Sequence, residues 1–125
     1  MDRVASTQFH EAAEKLRAET REMHRALASL IEELEAVDWY AQRVDATDDP
    51  ELVAVLAHNR DEEKEHACMV IEWIRRRDPK FDELLRRFLF RPGPIERDEA
   101  AGAEAARDDE TLRIGSLRAA QREAR

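Results

Sequence analysis

Glu63 and His66 stand three residues apart in the run Asp61-Glu62-Glu63-Lys64-Glu65-His66. On a helix turning roughly 100° per residue, an i, i+3 pair projects to one side, so both side chains can point at one ion. Laid out as a wheel, the surrounding sequence puts Leu52, Leu56, Val70 and Ile74 on one line, flanked by Val53, Val55, Ala67 and Ile71. Glu63 falls on the centre of that apolar line, and Asn59 and His66 lie roughly 40–60° to one side. A carboxylate in an apolar stripe is costly unless it is paired or bound to metal. Two readings follow. One is a solvated charge run in which Glu63 is salt-bridged to an Arg or Lys. The other is a metal site, and carboxylate with imidazole suits iron.

The elements that must carry these residues are helices. A first helix is expected from Ser6 or Thr7 to about Arg43, with Met23, Leu27, Leu30, Leu34 and Val37 at helical spacing. Glu33 sits at the edge of that stripe, while Glu32 and Glu35 face away. After Val44 to Asp49, Asp49-Pro50-Glu51 reads as a helix start, with Asp49 as N-cap and Pro50 first in the helix. The second helix continues to Arg77 and stops at Asp78-Pro79. Lys80 to Phe90 forms a short third helix with Phe81, Leu84, Leu85 and Phe88 on one side, broken by Pro92-Gly93-Pro94. Ile95 to Ala106 reads as a short fourth helix. The expected organisation is therefore an all-α domain over 1–106 and a tail over 107–125. Two long helices on a short loop make an antiparallel hairpin, which buries one seam and calls for a partner. Each chain offers one inward Glu, Glu33, and one Glu-x-x-His, Glu63 with His66. That is half of a ferritin-like di-iron site. Two hairpins on a two-fold axis would complete both the site and a four-helix bundle.

Other sets carry less chemistry. His58, Glu62 and Glu65 share a face at i, i+4, i+7, which could hold a cation in a symmetric ring or be an ordinary wet face. Glu32, Glu35 and Trp39 could form an acidic funnel, or an exposed acidic face ending in an aromatic. Tyr40 could hydrogen-bond a carboxylate ligand. Trp73 reads as core, His10 and His24 as surface residues without partners at ligand spacing, and Cys68 as inert.

Composition narrows the function classes. The 125 residues carry a net charge of −8, 40% charged residues, three glycines and four prolines. So few turn formers exclude a many-stranded barrel or sandwich. No Gly-rich phosphate loop supports a nucleotide-binding fold. The apolar runs are too short to span a membrane, and no signal peptide opens the chain. One cysteine excludes an intrachain disulfide framework. The acidic balance disfavours nucleic acid and favours cations. A cytoplasmic helical protein with no membrane partner is expected.

Two strings carry a more specific signal. Glu32-Glu33-Leu34-Glu35-Ala36-Val37-Asp38-Trp39-Tyr40 and His58-Asn59-Arg60-Asp61-Glu62-Glu63-Lys64-Glu65-His66 resemble the encapsulated ferritins. The likeness runs from the first helix to about Ile95 and resumes at Thr111-Leu112-Arg113-Ile114-Gly115-Ser116-Leu117-Arg118. That segment is similar to the peptide that directs cargo into encapsulin shells, with Leu112, Ile114 and Leu117 as apolar anchors. The resemblance implies a half-ferritin that assembles as a ring of five dimers, oxidises iron at a dimer interface and leaves storage to the surrounding shell. By matching position it implies Glu33, Glu63 and His66 as ligands of a di-iron centre, with Tyr40 close by. It implies Glu32, Glu35 and Trp39 where metal enters, and His58, Glu62 and Glu65 in the ring channel. Ca or another divalent cation could occupy the last two sets. The Arg-rich extension beyond the targeting segment departs from the family pattern. Two rivals remain open: a non-catalytic helical adaptor with a structural metal, and a free-standing ferritin-like or hemerythrin-like iron binder with no shell.

Overall fold

A computed structural model describes residues 8–96. Among them the chain is all-helical, without strands. A 3-10 turn, Ala13–Lys15, precedes α1 (Ala18–Ala46), α2 (Pro50–Arg77) and α3 (Pro79–Phe88). The chain divides into two compact units at Asp78. α1 and α2 pack against each other in the first as an antiparallel hairpin, and α3 lies in the second.

The hairpin turn is set locally. The C-cap Thr47 donates its N–H to the Arg43 carbonyl at 3.2 Å. The Asp49 carboxylate then accepts from the N–H groups of Glu51, 3.0 Å, and Leu52, 3.4 Å. Asp49 thus caps α2, with Pro50 in the first helical position where no N–H is needed, as the sequence predicts. Asp78 repeats the device for α3, accepting from Lys80 at 2.9 Å and Phe81 at 3.0 Å ahead of a helix opened by Pro79.

The start of α1 corrects the sequence reading. The helix begins at Ala18, not at residue 6 or 7. Ala12, Leu16 and Arg17 are extended, and only a 3-10 turn forms between them. The competing interaction is visible: the Phe9 ring lies 4.6 Å from the His24 ring, centroid to centroid. In one continuous helix those residues would stand about 22 Å apart. The segment must turn back to make the contact, and this packing overrides good local helix propensity. At the other end, α3 stops at Phe88 rather than Phe90, because Leu89 is already extended at φ −87°, ψ 145° and Phe90 follows it with a left-handed φ of 57°. Of the expected fourth helix, Ile95 and Glu96 are non-helical; the remainder lies outside the described residues, as does the 107–125 tail with its targeting segment.

The seam is thin. Among the described residues only Ala67, 4% exposed, and Ile74, 2% exposed, are buried apolar side chains, both on α2. Leu27, Leu34, Leu52 and Val55, placed in or beside the stripes by the sequence, are substantially exposed. The reason is geometric. Two helices cover only the narrow strip of each that faces the other, so the edges of both stripes stay open. None of the described helices is long and apolar enough to cross a membrane.

Candidate metal centre

Halfway along the hairpin, Glu33 of α1 faces Glu63 and His66 of α2. Each offers a ligand atom, and these atoms lie within 4.8 Å of one another. His66 Nδ1 is 3.3 Å from Glu63 Oε2 and 3.6 Å from Glu33 Oε2. All three side chains are half-buried. Glu33 faces α2 directly instead of lying at the edge of its stripe, and Leu34 turns outward, 52% exposed. Among the described residues this is the one set of three acidic, His or Cys side chains with metal-holding geometry.

The neighbouring cations decide between the two readings of the charge run. Arg60 and Lys64, the bases that could have paired with Glu63, go to Asp61 instead, at 3.2 and 3.3 Å. Glu63 interacts with Glu33 and His66. Two carboxylates and an imidazole therefore converge without a permanent positive charge between them.

The titration of the set reflects that crowding. Glu33 is raised above its ordinary value, first by its hydrogen bond with Glu63, then by burial and by the Glu63 charge. Glu63 is lowered, chiefly because it receives that hydrogen bond and also bonds His66. The two glutamates therefore titrate as a pair, with Glu33 the easier of the two to protonate. Burial opposes charge on His66, but hydrogen bonds and charges from Glu63 and Glu33 outweigh it, and its pKa rises. A divalent cation would replace these protons with a charge that all three groups favour.

The remaining predicted residues are not gathered into a second centre within one chain. Glu32 and Trp39 are exposed two turns apart on α1, and Glu35 is half-exposed. His58 Nε2 meets Glu62 Oε1 at 2.8 Å on the exposed side of α2, and Glu65 is exposed one turn further on. Tyr40 is half-buried two turns from Glu33, with the Arg43 guanidinium 5.3 Å above its ring. His10 and Cys68 are exposed. His24, expected at the surface, is half-buried against Phe9. Trp73 is half-buried beneath the Arg77 guanidinium, 5.0 Å from its ring, rather than enclosed in a core.

Sequence reasoning missed what lies on either side of the centre. A shallow groove of about 350 Å³ opens between α1 and α2, floored by Ala26, Met69, Val70 and Trp73. Met69 is 58% exposed there. The signal was available, since Val70 and Trp73 follow Glu63 and His66 at helical spacing, but exposure of an apolar side chain cannot be read from its type.

The chain is similar to several known proteins. The model of the EncFtn-like family matches residues 8–92. An encapsulated ferritin-like protein of Rhodospirillum rubrum is 55% identical, covering 91% of this chain and 90% of the relative. An encapsulin nanocompartment cargo protein of Myxococcus xanthus is 36% identical, over 88% of this chain and 95% of its own length. A crystal structure of a protein from Nitrosomonas europaea superposes with a TM-score of 0.69 at 61% identity, covering 71% of this chain and 98% of that one.

Proposed function

The chain belongs to the EncFtn-like family, and from that premise we propose that it oxidises Fe²⁺ to Fe³⁺ at a di-iron centre shared between two copies and delivers the product for storage inside an encapsulin shell. The observation that carries the proposal is the convergence of Glu33, Glu63 and His66 on one point of the hairpin. One copy supplies three ligands. Two supply four carboxylates and two imidazoles, the donor set of a ferritin-like di-iron bundle.

Iron is the substrate in this reading. The acidic surface draws Fe²⁺ in, with Glu32, Glu35 and Trp39 where it enters. Two ions then bind between the subunits. Glu33, Glu63 and His66 would hold the ions, with Glu63, which interacts with both of the others, as the bridging ligand and Glu33 and His66 as terminal ones. Each Fe²⁺ gives up one electron. Dioxygen takes both electrons and two protons and leaves as hydrogen peroxide, so charge and atoms balance. Fixed carboxylates stabilise the added positive charge of the ferric pair with little reorganisation. Tyr40, two turns along α1 from Glu33, would hydrogen-bond a ligand carboxylate of the neighbouring copy. His58, Glu62 and Glu65 meet their symmetry mates around the channel of a ring of five dimers, where Ca or another divalent cation could bind. The encapsulin arm is supported by the names of the Rhodospirillum and Myxococcus relatives and by the 111–118 segment.

The test is Fe²⁺-dependent oxygen consumption. Wild type consumes oxygen rapidly, and the double variant Glu63→Ala, His66→Ala does not. Near-normal oxidation in that variant refutes the site. A slow wild type that still binds metal favours the structural adaptor. Deleting residues 111–125 should abolish loading into shells and leave oxidation intact. Loading of the truncated chain would refute the targeting role of that segment, and a full chain that oxidises iron but never loads would favour the free-standing iron binder.

A further inference from the structure

Asn59 shares the metal-facing side of α2 with Glu63 and His66, roughly 40° and 20° from them on the helical wheel. It stands one turn before Glu63, next to Leu56 in the apolar line. The side chain is half-buried, and its amide makes no hydrogen bond among the described residues. A polar side chain withdrawn from water normally finds a partner, and one that does not calls for a function.

Its neighbours on α2 narrow the choice of partner. Val55 and Leu56, one turn back, are apolar. Arg60 offers only donors and goes to Asp61. Glu62, three residues ahead, is exposed and held by His58 at 2.8 Å. Glu63, four residues ahead, remains. Helical side chains tilt towards the N-terminus of their helix, so the Glu63 carboxylate leans back over Asn59. Side chains at i and i+4 start about 5–6 Å apart, a span that an amide and a carboxylate close with one hydrogen bond. Without metal, Glu63 is drawn instead to Glu33 and His66, with His66 Nδ1 3.3 Å from its Oε2. A cation displaces the protons that hold those contacts. A carboxylate shared between two ions still has a lone pair on each oxygen for an outer donor.

We infer that Asn59 is a positioning residue of the metal centre: its Nδ2–H donates to the Glu63 carboxylate and holds it in the orientation that bridges the ions. This rests on the di-iron reading above and adds the outer contact that fixes one of its ligands. Ligand carboxylates are themselves hydrogen-bonded as a rule, and losing such a contact costs metal affinity. The residue type suits the task. An amide donates without charge, whereas Lys or Arg at this position would set a fixed positive charge beside the ions and repel them. Asp or Glu would bring only acceptors.

Calorimetric titration of the full chain with Mn²⁺ tests the role without turnover. Asn59→Leu keeps the size of the side chain and removes the donor; Asn59→Gln keeps the donor. Asn59→Leu should weaken Mn²⁺ binding about 10–100-fold, and Asn59→Gln should restore most of the affinity. The metal-free melting temperature of Asn59→Leu should not fall, because Leu suits an apolar line. Wild-type affinity in Asn59→Leu overturns the proposal, and so does an Asn59→Gln as weak as Asn59→Leu. A loss matched by an equal loss of metal-free stability also overturns it, since packing would then explain the change. The same holds for a loss that vanishes in a Tyr40→Phe background, where the amide would be acting through the phenol. The double variant Glu63→Ala, His66→Ala is titrated alongside. If it loses Mn²⁺ while Asn59→Leu binds normally, the positioning role falls and the centre stands. If it binds as wild type does, the centre itself falls.

Discussion

Removing metal should destabilise the whole helical hairpin, not only empty a site, and the size of the effect can be worked out. Burying Ile74 is worth about 1.5–3 kcal/mol, and Ala67 adds roughly one methyl group, about 0.8 kcal/mol. These are the buried apolar side chains among the described residues, and each ordered backbone residue costs about 1–2 kcal/mol of conformational entropy. A hairpin with so little core depends on what binds it. Metal present at a hundred times its Kd adds about 2.7 kcal/mol to the native state. In a domain of this size each kcal/mol moves Tm by about 4–8 °C, so Fe²⁺ should raise Tm by about 10–20 °C. The assay is an anaerobic melt followed by helix circular dichroism at fixed protein concentration, with and without Fe²⁺. The same experiment on Glu63→Ala, His66→Ala should show no shift. An equal shift in that variant, or none in wild type, would refute the reasoning.

Metal affinity should fall as the medium is acidified. His66 is held above its ordinary 6.5, so a cation must displace its proton wherever the pH lies below that raised value. Binding of redox-inert Mn²⁺, followed by calorimetry, should weaken about tenfold per pH unit for each proton displaced; a flat profile contradicts this. In metal-free protein the sign reverses. The raised His66 pKa stabilises the native state below pH 6.5, and that contribution disappears as pH climbs through the folded value. Asp78→Ala removes the acceptor for two N–H groups at the start of α3 and should cost about 1 kcal/mol in chemical denaturation. Phe90→Gly relieves the left-handed backbone at φ 57° and should raise stability by about 1 kcal/mol, where an ordinary exposed Phe→Gly change would lower it.

Much of the fold was legible in the sequence because its signals are local. Asp49-Pro50 combines a capping carboxylate with a residue suited to open a helix, and α2 starts where that pair predicts; Asp78-Pro79 reads in the sequence only as the stop of α2, yet Asp78 also caps α3, which opens at Pro79 and not at Lys80. The centre was legible for a related reason: Glu63 interrupts an apolar line, and an interruption that burial should forbid marks chemistry. What stayed hidden depends on contacts distant in sequence. Nothing in Phe9 or His24 alone announces that they meet, so the start of α1 was placed too early. Leu34 and Val55 look like core residues by type. Their exposure follows from how little of each helix the other covers, which periodicity does not report. The same limit applies to His58, Glu62 and Glu65, whose meeting would depend on copies of the chain that the sequence of one cannot position.

The most direct test of the central claim is native mass spectrometry of the full chain titrated anaerobically with Fe²⁺. The account predicts that iron appears in pairs on dimers or multiples of them, that the monomer retains none, and that Glu63→Ala, His66→Ala abolishes the pairs. A monomer carrying two irons by itself, or unchanged iron pairs in that variant, would contradict it.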